Sequence, residues 1–109
     1  VGALVLVGDA VEEDVDALCH AAGELGLFGT PVFCFHEGTN PVAATAFRQI
    51  AKVSGGAYAP FDSAAAETLR ELLRAVAVFA AGGRAALAAL PGAAAARIAG
   101  QLPRPRGAT

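Results

Sequence analysis

Two kinds of apolar pattern alternate along the 109-residue chain. Residues 4–7 (Leu-Val-Leu-Val) and 31–35 (Pro-Val-Phe-Cys-Phe) are short continuous apolar runs, ending at Gly8-Asp9 and His36-Glu37-Gly38. Neither alternates with polar residues, which is the pattern of strands covered on both faces, as in a parallel sheet. Between them Val11, Val15, Leu18, Ala22 and Leu25 recur at helical spacing and predict a helix over residues 11–25. Glu12, Glu13, Asp14 and Asp16 load its first turns, where negative charge complements the helix dipole, and Gly26 and Gly29 end it.

The alternation then repeats. Pro41 opens a second helix, where its missing N–H costs nothing. Val42, Phe47, Ile50 and Ala51 form its inward stripe, and Gly55-Gly56 close it. Residues 57–61 read as a short third strand that Pro60 assigns to an edge or an early end. Asp62-Ser63 cap a third helix with Leu69, Leu72, Leu73, Val76 and Phe79 inward, stopped at Gly82-Gly83. Strand, helix, strand, helix, strand, helix, joined by right-handed crossovers, gives an α/β chain in three α/β/α layers. Its parallel, Rossmann-like sheet has strands near residues 3–8, 31–36 and 57–60. Residues 1–82 carry this pattern, 83–102 add one or two helical segments, and 103–109 read as a disordered tail.

Composition narrows the function classes. Apolar residues make up 55% and charged residues 17% of the chain, so it is built to pack. Ala dominates the apolar share, which leaves the core to a limited set of Val, Leu, Ile and Phe. A net charge of −2 gives no electrostatic case for nucleic acid or an anionic membrane. No continuous apolar run reaches the roughly 20 residues of a membrane span, so none is expected. There is no Met, and the chain begins almost directly on a strand, so it reads as an excerpt from which export cannot be judged. An Arg-, Ala- and Gly-rich composition suggests a GC-rich, bacterial coding sequence. Cys19 and Cys34 lie in apolar segments and make no disulfide framework, which favours a reducing, cytoplasmic setting.

In open α/β sheets chemistry gathers at the carboxyl ends of the strands. Here those ends are Gly8-Asp9-Ala10, residues 36–41, and Phe61-Asp62-Ser63. Asp9, directly after an apolar strand, is the leading candidate to face a cation or a phosphate; its alternative role is a helix cap. Glu12, Glu13, His36, Glu37 and Asn40 are the candidate partner-binding rim around it. Cys34 and His36, or Cys19 and His20, do not amount to a zinc site, which needs four converging ligands. No phosphate loop, dinucleotide fingerprint or nucleophile elbow is present.

Residues 5–10, Val-Leu-Val-Gly-Asp-Ala, resemble the apolar-Thr-Asp-Gly end of the fourth strand of von Willebrand factor type A (VWA) domains, with Gly8 in place of Thr and Ala10 in place of Gly. Residues 47–58 are similar to the helix, double-glycine and short-strand passage of that family, and the helix after Ser63 is similar to its last helix. The resemblance covers roughly residues 3–80, the C-terminal half of such a domain. It implies a protein-binding module and not an enzyme, with Asp9 as one ligand of a metal-ion-dependent adhesion site that usually holds Mg2+. The family's Asp-x-Ser-x-Ser motif and middle-loop Thr are absent and would lie upstream of Val1. A lone carboxylate is a poor Mg2+ site, so this chain by itself is not expected to hold the ion tightly. With the first half missing, the first strand would lack a neighbour and invite self-association. Two alternatives stand beside this reading. A receiver or phosphohydrolase would use Asp9 as phospho-acceptor or nucleophile, but the one Lys, Lys52, falls on a helix and position 11 is Val. The other is a structural fragment without activity.

Overall fold

A computed structural model describes residues 2–10, 14–62, 64 and 66–102. Strands β1 (Leu4–Gly8), β2 (Val32–Glu37) and β3 (Ala57–Phe61) form one parallel sheet in the order β1-β2-β3. Leu4 is paired with Val32 and Gly8 with His36; on the other side Phe33 is paired with Ala57 and Glu37 with Phe61. Helices α1 (Val15–Leu27), α2 (Pro41–Ser54), α3 (Ala66–Ala89) and α4 (Ala93–Gln101) cover the sheet.

The pleat sorts the core into two halves. Phe33, Phe35, Ala57 and Ala59 point to one face and are buried against Leu72, Ala75, Val76 and Phe79 of α3 and Ile98 of α4. The rings of Phe33 and Phe79 meet edge to face, with centroids 5.5 Å apart. Val32, Cys34 and Tyr58 point to the other face, against Ala22 of α1 and Phe47, Ile50 and Ala51 of α2. The molecule is therefore layered α/β/α, as the sequence pattern predicts. Both crossovers step in the same direction across the sheet, so connections of one hand place α1 and α2 on one face. The chain after β3 folds back and covers the other.

Local chemistry sets the helix bounds. The Asn40 side chain accepts from the Val42 and Ala43 N–H groups at 2.9 and 3.3 Å, with Pro41 at the first helical position. Asp14 caps α1 at Val15 by accepting from the Asp16 N–H at 3.0 Å, and this helix runs through Gly26. Val42 does not face inward: it is 77% exposed. The buried stripe of α2 is Ala43, Ala46, Phe47, Ile50, Ala51 and Ser54, and Val42 lies one position, about 100°, off it. Leu73 is exposed for the same reason, beside the stripe of Leu72, Ala75, Val76 and Phe79. The expected stop at Gly82-Gly83 is a kink: Gly83 has φ 76° and ψ −164°, and a second helical arm continues to Ala89. By length and composition α3 is apolar enough to cross a membrane. Its apolar stripe, however, packs on the sheet and Gly83 interrupts it.

One junction ties these parts together. Ser54, at the end of α2, is buried; its Oγ accepts from the Val32 N–H at 2.9 Å and donates to the Ala51 carbonyl at 3.0 Å. Gly55 then adopts φ 80°, and Gly56 runs against Val32. A Cβ on Gly56 would lie 1.9 Å from the Val32 carbonyl oxygen, a backbone atom that cannot swing aside. Gly56→Ala is expected to cost about 3 kcal/mol or more in urea unfolding. Gly55→Ala, which strains only φ, should cost about 1–2 kcal/mol. Equal costs for the two would show that the close approach is not a constraint.

Candidate functional site

The carboxyl ends of the three strands form an acidic rim. Asp9 is exposed, one residue beyond the last residue of β1, and Gly8 is in register with His36, which places Asp9 beside the end of β2. Glu37 ends β2, partly exposed, and Asp62 follows β3, exposed. Glu37, Gly38, Thr39, Phe61 and Asp62 line a shallow cleft of about 380 Å³ between the ends of β2 and β3. The rim can attract cations and basic groups. Among the described residues no three His, Cys, Asp or Glu side chains gather closely enough to hold a metal ion.

The expected rim residues divide. Glu37 lies there. Asn40 is exposed nearby, but its side-chain oxygen is committed to the first amides of α2. Asp62 is similarly engaged, accepting from the Ala64 N–H at 2.9 Å. Glu12 and Glu13 lie outside the described residues. His36 does not belong to the rim: it is 0% exposed. It follows Val32 and Cys34 on the face that α2 covers, and its ring lies 5.3 Å from that of Phe47. Its Nδ1 is 3.0 Å from the Tyr58 hydroxyl, while Nε2 is buried with no hydrogen-bond partner. A side chain so enclosed cannot meet a partner.

Cys19 and Cys34 are both free thiols. Burial pushes the Cys34 thiol up to about 12, against a smaller lowering by a hydrogen bond to the Ala51 backbone and a slight further rise from Cys19. Burial and the nearby Asp16 carboxylate raise Cys19 as well.

Sequence reasoning missed a second concave surface, on the outer edge of β3, where Arg48 and Lys52 of α2 meet Arg97 and Gln101 of α4. The spacing of Arg48 and Lys52, one helical turn apart, was a signal for half of it. Nothing in the sequence ties Arg97 to them.

The fold and rim define a class, a three-layer α/β module with an acidic carboxyl-end rim. Compared with models of known protein families, with curated proteins and with solved structures, the chain matches none.

The Cys34 thiol makes stability depend on pH in a defined direction. Its folded value lies above the ordinary 9.0, so its contribution is complete below pH 9 and is lost as pH rises from there toward 12. The loss approaches about 1.4 kcal/mol per pH unit. Cys34→Ala is less stable than the parent at pH 7 because it leaves a cavity. The stability difference between the two, from urea unfolding, is expected to shrink between pH 9 and 11. A difference that stays constant over that window would contradict the assignment.

Proposed function

We propose that this chain is the second half of a VWA-type protein-interaction module that works by binding and not by catalysis. The observation that carries the reading is the placement of Asp9: exposed, one residue past the carboxyl end of a parallel strand. The topology supports it. Consecutive strands, with α1 and α2 on one face and α3 on the other, suit the second half of a doubly wound sheet. The outer edge of β1 is then the seam along which the first half pairs. Leu4 donates its N–H to the Pro31 carbonyl, and backbone groups alternate in direction along a strand, so those of Val5 and Val7 point outward. Without a neighbour, this edge also offers a second copy of the chain a place to pair.

On this reading a divalent cation, Mg2+ in the resembling family, links the rim to an acidic group on a protein partner. The described residues do not complete such a site, because octahedral coordination needs several oxygens placed together. Asp9 would supply one of them.

Mn2+ tests the role of Asp9 without the rest of the shell, since it shares the preference for oxygen ligands and broadens nearby NMR signals. The amides of Gly8 and Ala10 are expected to broaden at lower Mn2+ concentration than those around Glu24 or Glu67, and Asp9→Asn should abolish that preference. Broadening with no preference for Asp9, or unchanged by Asp9→Asn, would remove it from the ligand set. Covalent labelling of Asp9 by acetyl phosphate would favour the phospho-acceptor reading instead.

A further inference from the structure

The cleft on the outer edge of β3 has the makings of a site. It encloses about 530 Å³, within the range of small-molecule pockets. Arg48 and Lys52 project into it from one face of α2, and Arg97 from α4 opposite. Among the described residues none of the three is paired with a carboxylate. Six of the eight Lys and Arg side chains fall in the described residues, so half of those gather around this one concavity. Among the described residues no carboxylate lines this cleft; Glu37 and Asp62 line the neighbouring one, which meets it at Pro60. Like charges held together without counter-charges raise the local positive potential, and a concave wall focuses it.

Two of the lining side chains, Arg48 and Gln101, are held in place. The Arg48 guanidinium lies over the Tyr58 ring, 4.9 Å from its centroid, and Tyr58 itself is buried. Gln101 is clamped: its Oε1 accepts from the Tyr58 N–H at 2.8 Å, and its Nε2 donates to the Tyr58 carbonyl at 2.8 Å and to the Arg97 carbonyl at 3.2 Å. That clamp docks α4 on β3 and brings Arg97 across from Arg48. The negative end of the α2 dipole also falls here, at Gly55, and Lys52 in the last turn offsets it. The two guanidiniums remain, with the planar forks that match phosphate oxygens.

We propose that this cleft binds the phosphate groups of a small phosphorylated molecule, with two linked phosphates as the best match. A single phosphate ester carries roughly −2, which the two guanidiniums already balance. The helix end offsets only about half a charge of Lys52, and the remainder gains a partner when a second phosphate is present. An extended nucleic acid fits less well, because a chain of net charge −2 with an acidic rim repels a long polyanion beyond the cleft.

The test is an NMR titration of the 15N-labelled chain with pyrophosphate, inorganic phosphate and sodium chloride at matched ionic strength. Pyrophosphate is expected to give saturable shifts at Gly55, Gly56 and the arginine Nε–H groups, at lower concentration than phosphate. Arg97→Gln and Arg48→Gln should each weaken binding roughly tenfold, the loss expected for one charged hydrogen-bonding group. Arg70→Gln, on α3 and paired with Glu67, should leave it unchanged. Both cleft substitutions are at exposed positions, and thermal melting checks that each variant is folded. Shifts that rise linearly, that chloride reproduces, or that persist with equal affinity in both cleft variants would overturn the proposal.

Discussion

At Gly56 the chain passes so close to Val32 that one added carbon would sit 1.9 Å from a backbone oxygen. Two residues earlier, Ser54 bonds the N–H of the same Val32. Between them these contacts seat the end of α2 on the start of β2, and the chain must then enter β3 with Ala57 beside Phe33. The register of β3 follows, and with it the alternation that sends Ala57 and Ala59 to α3 and Tyr58 to α2. Gly26 makes the matching approach from α1, where a Cβ would come within 3.0 Å of the Ser54 backbone. Small residues at this crossing let an Ala-rich chain reach close packing without large side chains to fill the space.

The two edges of the sheet are treated differently. Tyr58 and Pro60 turn their backbones outward from β3. Gln101 takes both groups of Tyr58, and Pro60 has no N–H to offer. That edge is closed to further strands. On β1 no described residue covers the outward groups of Val5 and Val7, and Leu4 and Val7 are 48% and 47% exposed. An apolar, unprotected edge is the place where another chain segment adds. Two chemistries adjoin along β3, with carboxylates at the strand ends and cations in the cleft that Gln101 helps to build.

Much of the layering was legible because it rests on periodicity. The runs that became β2 and β3 and the stripe through Phe47, Ile50 and Ala51 announce which surfaces must be covered. Single faces were harder. Val42 and Leu73 are apolar but sit one position off their stripes, and a heptad-scale pattern cannot decide between neighbours at such places. His36 looked like a rim residue because it follows an apolar run. Only the direction of the pleat and the position of α2 show that it is core. The kink at Gly83 was visible as a glycine pair, but the second arm beyond it depends on packing against α4. Arg97 faces Arg48 because α4 docks on β3 through its apolar stripe and the Gln101 clamp, the latter a contact 43 residues apart in sequence that no local signal encodes.

Whether β1 is an open seam is read directly by hydrogen exchange of its backbone amides. In dilute monomeric protein, Leu6 and Gly8, which face β2, should exchange slowly. Val5 and Val7 should exchange nearly as fast as an unstructured chain. If Val5 and Val7 in the monomer are protected as strongly as Leu6, the edge is already covered, and neither a missing half-module nor a second copy has a strand to pair with.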